Sequence, residues 1–342
     1  MRAAVLRRKQ LVVDEVPDPV PGPGQVLVET LACGICGSDL HIFRHLDQLL
    51  ESARSIGTPF MFDVERDLIM GHEFCAKVIE LGPGVSEVKA GDVVVAIPLV
   101  VTPEGRMPVG YSNDYPGGYG ERMVLMSALC HKVPNGLDPR YAALTEPMAV
   151  GLHAVAKSGI TSGDAALVLG CGPIGLAVVA ALRLAGVEPI VAADFSPTRR
   201  QLAERMGAHE TVDPQQEPPI EAWRRVDGTR SLVIFEAVGV PGMIAQAMVA
   251  APSSSRILVV GVCMEADTIW PMLGINKELT IQFALGSRPE EFARTLELIA
   301  NGDLDVAPLV TGEVGISGVP GAFDELANPD AHAKVLVVPA LG

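Results

Sequence analysis

Apolar and polar positions alternate in short runs through the first 140 or so residues. "QVLVET" at 25–30, "AKVIEL" at 76–81 and "DVVVAI" at 92–97 are β-branched segments that read as strands. Gly/Pro turns such as "PVPGPG", "LGPGVS" and "KAGD" separate them, so the region predicts a barrel-like or sandwich-like, β-rich domain. From about Thr145 the texture changes. Ala/Leu-rich helical runs alternate with the apolar strands "AALVLG", "EPIVAAD", "SLVIFEAVG", "RILVVGV" and "LTIQFAL". Strand followed by helix, repeated, predicts an α/β fold with a doubly wound parallel sheet. From about Ser287 an amphipathic helix "PEEFARTLELIANG", a second helix near "GAFDELAN" and a strand "KVLVVP" close the chain. This tail is expected to complete the N-terminal core, giving one domain over 1–147 and 287–342 and a second over 148–286.

With 342 residues, 49% of them apolar, the chain can bury a sizeable core, and its length favours two domains. A formal charge of −15 repels phosphate backbones and anionic lipid surfaces, which argues against nucleic-acid and membrane partners. The uncharged run Ala165 to Leu182 is long enough to resemble a membrane span. "GCGPIG" cuts it after a short strand, so it reads as a buried strand, a turn and a buried helix. The N-terminus lacks the apolar stretch and cleavage site of a secretory signal, so a cytoplasmic location is expected. In that setting the six cysteines point to metal, redox or buried-thiol uses rather than a disulfide framework.

The turn in that run carries Gly170, Gly172 and Gly175 as G-x-G-x-x-G, after a predicted strand and opening a predicted helix. The first glycine allows a tight turn, the second lets backbone approach a pyrophosphate, and the third lets helix pack on strand. Free N–H groups and the helix dipole receive the anion. Asp194 ends the next strand, where an acid hydrogen-bonds the adenosine ribose. A carboxylate there also repels a 2′-phosphate, so NAD(H) is favoured over NADP(H), although Arg199 and Arg200 soften that preference.

Two further stretches gather chemistry: "CGICGSDLH" from Cys33 and "MGHEF" from Met70. Catalytic zinc takes three Cys, His or carboxylate ligands and keeps an open position, and Cys36 and His72 are natural first candidates. Cys33 and Cys36 also spell C-x-x-C, but a redox pair of that kind opens a helix after a strand and has no use for a distant "GHE". Cys33 is therefore read as a buried thiol, as are Cys75, Cys130, Cys171 and Cys263, and His153 as a packing residue.

"GICGSDLH", "GHEF", "GGYGERMVL", "LTEPMAVGLHA", "VLGCGPIG" and "ADFSPTRRQLAERMGA" follow one another in the order seen in the medium-chain zinc-dependent alcohol and polyol dehydrogenases. Over nearly its whole length the chain resembles that family, and "TEP" resembles its sorbitol, threonine and glucose dehydrogenase branch. The resemblance implies a GroES-like catalytic domain joined to a Rossmann domain. It implies one catalytic zinc on Cys36, His72 and a glutamate, either Glu73 or Glu146. The function implied is hydride transfer between a secondary alcohol or polyol and NAD(H), zinc polarising the substrate oxygen. Ser38 would receive the substrate proton and pass it through the cofactor ribose to His41, with Asp39 orienting His72. Ser38 and Asp39 also suit the capping of a following helix. Pro173 and Ile174 would lie near the pyrophosphate, and Asp194 with Arg199 at the adenosine. Val238, Val260, Gly261, Val262 and the stretch Ala284 to Gly286, with Leu285, would flank the nicotinamide.

Two departures stand out. The region "PLVVTPEGRMPVGYSNDYPGGYGE" holds no cysteine where many members carry four for a structural zinc, so none is expected there. The segment from Ile42 to Met70 is long; it either borders the substrate cleft as a specificity element or lid, with Phe60, Met61 and Phe62 favouring a bulky alcohol, or is an ordinary surface insertion. A homodimer or homotetramer is expected if a last sheet strand such as "LTIQFAL" pairs across a two-fold axis. Competing readings are a zinc-free quinone or enoyl reductase of the same fold, which lacks the ligand set, and a non-catalytic dinucleotide-binding protein.

Overall fold

A computed structural model of the chain describes residues 1–58, 60–103, 105–134 and 136–342. Two compact units form: Met1–Glu146 with Phe292–Gly302 and Val310–Gly342, and Pro147–Glu291 with Asp303–Leu309. Residues 287–291 and 303–309, read from sequence as part of the first domain, cluster with the second. For 303–309 the reason is packing: Leu304, Val306 and Leu309 are buried, and Ala307–Leu309 lies against the helix Pro197–Met206.

In the first unit a mixed sheet runs in the order Val310–Val314, Lys334–Val337, Gln25–Gly34, Glu73–Leu81, Val93–Ala96, Cys130–Lys132, with Arg122–Met126 also paired to Gln25–Gly34. Strand Gln25–Gly34 is the hub. Along it every inward position from Val26 to Cys33 is apolar or small, so it is buried on both flanks. Its far end pairs Gly34 with Glu73 and Cys33 with Phe74 on one side, and with Leu336 and Val337 on the other. The chain then turns directly into the helix Gly37–Ile56, which Cys36 caps and which Gly57 ends in the left-handed conformation (φ 70°). Part of the long segment after His41 is therefore helix, burying Ile42 and Leu46. Phe62 is buried and Phe60 packs on it, ring centroids 4.8 Å apart, so both belong to this unit's core, while Met61 is exposed.

The second unit has a parallel sheet in the order Glu210–Val212, Ile190–Ala193, Ala165–Leu169, Leu232–Glu236, Arg256–Val259, Thr280–Phe283. The order reverses beside Ala165–Leu169, the first strand, which is the switch point where such sheets bind ligands at their carboxyl ends. Full burial of Ala165–Leu169 and Ile190–Ala193 explains their continuous apolar character. No helix among the described residues is long and apolar enough to cross a membrane; Ala165 to Leu182 is the strand Ala165–Leu169, a turn, and most of the helix Pro173–Leu184.

Candidate functional site

The strand pairing of the first unit delivers the candidate ligands together. Cys36 stands at the junction of strand Gln25–Gly34 and the helix after it, and His72 immediately precedes strand Glu73–Leu81. Cys36, His72 and Glu73 each offer a ligand atom, and these atoms lie within 4.8 Å of one another. The approach is tight: a Cβ on Gly34 would sit 2.0 Å from the Glu73 carboxylate, so only glycine fits opposite it. Glu146, at the start of helix Thr145–Ser158, stands outside that trio but close enough for its charge to be coupled to His72, Glu73 and Lys334.

Buried groups surround the trio and fix its orientation. Both Glu73 oxygens accept from Lys334 Nζ at 2.8 and 2.7 Å, and the same ammonium donates to the Ile35 carbonyl at 3.0 Å. Lys334 is 2% exposed, yet its pKa is raised: burial opposes the charge, and Glu73 outweighs it. Asp39, fully buried, accepts from the Tyr119 hydroxyl at 2.6 Å, the Tyr111 hydroxyl at 2.8 Å and the Cys36 amide at 3.2 Å. Its Oδ1 is also 3.5 Å from His72 Nδ1, a buried nitrogen without a hydrogen bond. Burial works against an imidazolium here, but the charges of Asp39 and Cys36 outweigh it and hold the His72 pKa well above its ordinary value. The pocket of charge thus favours a cation between the thiol, the imidazole and the carboxylate. Thiolate, imidazole and carboxylate backed by a carboxylate–imidazole contact form the donor set that zinc takes, so the residues fit the metal.

Ser38 lies in the first turn of helix Gly37–Ile56, with its Oγ 3.1 Å from Cys36 Sγ and 2.7 Å from the Tyr111 hydroxyl. His41 is one turn on, facing His45 at a centroid distance of 5.9 Å; burial, His45 and Arg44 lower its pKa. Cys33 does not pair with Cys36: both are free thiols, and burial pushes the Cys33 thiol well up. The other cysteines divide: Cys75 and Cys171 are buried as expected, but Cys130 and Cys263 are only partly so, because each sits near a strand end rather than within the core. His153 contacts Glu291 at 2.8 Å. Sequence reasoning missed Tyr111 and Lys334 as parts of the site, and Tyr119 figured in it only as part of a motif. The one available signal was a lysine opening the otherwise apolar strand "KVLVVP".

In the second unit the glycine turn joins strand Ala165–Leu169 to helix Pro173–Leu184, with Gly172 as the helix cap and Pro173 and Ile174 in its first turn. Gly175 is required by contact, since a Cβ there would lie 1.9 Å from the Gly170 carbonyl. Asp194 follows strand Ile190–Ala193 and accepts from the Cys171 and Ser196 amides, both at 2.8 Å, which ties it to the glycine turn. Arg200 is spent on the carbonyls of Asp194 and Phe195 at 2.7 and 2.8 Å. Arg199 is not: its buried Nε has no hydrogen-bond partner, and its guanidinium reaches to 4.0 Å of where a Gly172 side chain would start. An unpartnered guanidinium over a helix N-terminus fits a dinucleotide's phosphates. Val238, Gly261, Val262 and Leu285 follow the carboxyl ends of three neighbouring strands, Val238 held by a 2.7 Å bond from its amide to Glu236; Val260 instead is buried in the core.

Residues 22–135 match the family model for the alcohol dehydrogenase GroES-like domain, and 173–301 that for zinc-binding dehydrogenases. The (R,R)-butanediol dehydrogenase of Bacillus subtilis (strain 168) is 32% identical over 97% of this chain and 97% of that protein. The L-threonine 3-dehydrogenase of Thermococcus kodakarensis is 31% identical over 96% of this chain and 94% of its own. A crystal structure of a zinc-binding dehydrogenase from Sinorhizobium meliloti 1021, bound to NADP, superimposes with a TM-score of 0.85 over 99% of both chains at 29% identity.

Glu146 makes the metal-free site pH-sensitive. Desolvation, reinforced by Glu73 and Asp39, pushes its carboxyl up to about 7 against an ordinary 4.5. A folded state that holds a proton more tightly than the unfolded chain is most stable at low pH and loses that advantage as pH climbs through the window between those values. Metal-stripped protein is therefore expected to lose melting temperature between about pH 4.5 and 7 from this group, and Glu146→Gln to flatten the profile there. An unchanged slope in Glu146→Gln would assign the effect elsewhere.

Proposed function

The chain belongs to the zinc-binding alcohol dehydrogenase family, and from that premise we propose that it transfers hydride between a secondary alcohol or polyol and NAD(H). The observation that carries the reading is the cluster of half-buried Cys36 with buried His72 and Glu73, and Asp39 behind the imidazole. Zinc, when bound, supplies a Lewis acid that lowers the pKa of the substrate hydroxyl. One zinc per chain is proposed, held by Cys36, His72 and Glu73, with Glu146 nearby as an exchangeable carboxylate. Glu73 is favoured over Glu146 as third ligand by its place within the trio, and a carboxylate has lone pairs to spare beyond those Lys334 uses. Asp39 would hold the His72 tautomer that leaves the other ring nitrogen to the metal. Ser38, one turn from His41 on the same helix, would accept the hydroxyl proton, and His41 would pass it to solvent. Burial of Phe62, with Phe60 partly buried against it, weakens the argument for a bulky aromatic substrate. The names of the relatives, butanediol and threonine dehydrogenases, point to small secondary alcohols.

Copies of the chain are proposed to associate through the second unit. Its outermost strand, Thr280–Phe283, has one free edge in the described sheet, and Trp270, Met272, Ile275, Phe283 and Leu285 nearby are 62–85% exposed. An apolar patch around an unpaired strand is a surface that a second copy covers.

Four outcomes are expected. Purified protein should carry about one zinc per chain by elemental analysis and form NADH with secondary alcohols or polyols. Cys36→Ser and His72→Ala should abolish turnover while NADH binding, followed by fluorescence, persists. Alcohol-independent reduction of quinones or enones by zinc-free protein would favour the reductase reading instead. Because Asp194 repels a 2′-phosphate and Arg200 is engaged, kcat/KM should favour NAD over NADP on the order of tenfold or more; equal values would overturn that part. Light scattering should give a dimer or tetramer, and Phe283→Lys should dissociate it; a monomeric wild type would refute the interface.

A further inference from the structure

The loop before Tyr119 carries no cysteine and bonds instead to residues 60–70. Asn113 is the clasp: its side-chain amide donates to the carbonyls of Asp63 and Asp67 at 3.1 Å and Arg66 at 3.4 Å, while its oxygen accepts from the Asp63 amide at 2.8 Å. Arg66 adds a bond to Asp114 at 2.6 Å. The segment just after the loop is laid along 69–71 by backbone bonds from Gly117, Tyr119 and Gly118 to Ile69, Met70 and Gly71. Two residues from the clasp, the Tyr111 hydroxyl lies 2.7 Å from Ser38 Oγ and 2.8 Å from Asp39 Oδ1, and its ring sits 5.0 Å from that of His72.

The hydrogen count sets what Tyr111 does. A phenol has one proton to give, and the Asp39 carboxylate can only accept. Tyr111 therefore donates to Asp39 and offers Ser38 a lone pair. Ser38 in turn directs its proton back to Tyr111, the only hydrogen left for their 2.7 Å contact, and keeps its own lone pairs for an incoming hydroxyl; as the substrate proton arrives, Ser38 turns its own toward the relay that ends at His41, so one proton is taken and one is released. From this we propose that Tyr111 is a positioning residue that holds Ser38 as a proton acceptor, and that Asn113, by clasping residues 60–70, holds Tyr111 in place. The long segment after His41 is on this account a buttress of the relay. The proposal rests on the reading that Ser38 receives the substrate proton, and the two can fail separately.

The test is a double-mutant cycle read by both kinetics and spectroscopy. Tyr111→Phe should lower kcat by roughly 10- to 100-fold with KM changed by less than about twofold and zinc content intact. In a Ser38→Ala background the same change should add less than about twofold, because Tyr111 acts through Ser38. Asn113→Ala should lower kcat in the parent but not in Tyr111→Phe. Should Asn113→Ala fold poorly, Asn113→Asp keeps the bond from the Asp63 amide and loses the three donated ones. Independently of turnover, zinc-free protein with 13Cζ-labelled tyrosine should show the Tyr111 resonance, identified by its loss in Tyr111→Phe, shifted in both Ser38→Ala and Asn113→Ala. Near-normal turnover in Ser38→Ala would sink the underlying relay. A Tyr111→Phe kcat within twofold of the parent, equal losses in both backgrounds, or a resonance unmoved in Asn113→Ala would overturn the positioning role while leaving the relay standing.

Discussion

The pairing of Gly34 with Glu73 is the constraint on which the site depends. A slip of one residue in an antiparallel ladder turns every side chain to the opposite face. Here it would carry Glu73 away from Lys334, which arrives on the next strand over through the pairing of Leu336 with Gly34. Both ions are at most 2% exposed, so any other register leaves two buried charges unpaired, at a cost of several kcal/mol. Such a pair adds little net stability when made, because desolvation offsets its Coulomb attraction, but it discriminates strongly against misalignment. The ion pair is best understood as the register pin of three strands, and Cys36 and His72 are adjacent because that register is held.

The same charges account for why the centre suits a dication. Asp39 and Glu73 bring two carboxylates into a buried space, and Lys334 balances one of them. What remains favours positive charge at the imidazole, which is the sense in which the His72 pKa is displaced. A proton can answer that demand at one nitrogen only. A divalent ion on sulfur, nitrogen and oxygen would answer it for all three, and would favour the charged form of the neighbouring Glu146, whose carboxyl burial pushes up to about 7.

What could be read from sequence was what depends on local geometry. The glycine turn, the acid after the next strand and the strand-helix alternation are local patterns, and the sheet order bears out the last of them. Cys36 and His72 stood out as candidates because few residue types bind zinc, and the fold brings them together. Lys334 did not stand out, since its meaning lies in a partner 261 positions away. Nor could Glu73 and Glu146 be ranked, because the ranking depends on which carboxylate that distant lysine and the Gly34 gap draw inward. Phe60 and Phe62 looked available to a substrate in a long unpatterned segment; only the packing of that segment shows Phe62 taken into the first unit's core, with Phe60 against it. The assignment of 303–309 turned on buried contacts with a helix about a hundred residues earlier, which no pattern in the segment itself reveals.

The long segment and the cysteine-free loop explain each other. The parts that meet, residues 60–70 and 111–119, have no helix or strand of their own to satisfy their backbone groups. Together they share the Asn113 clasp and the backbone bonds to 69–71, each bond worth about 1 kcal/mol net, and Phe62 anchors one of them in the core. Closing longer loops costs little additional entropy, so the extra length is thermodynamically cheap once such partners exist. The consequence falls on chemistry rather than on the fold. Ser38 is held on one side by the first turn of a well-packed helix and on the other by Tyr111, which belongs to this mutually ordered pair. The placement of the Ser38 hydroxyl thus depends on segments outside the sheet as well as on the helix that carries it.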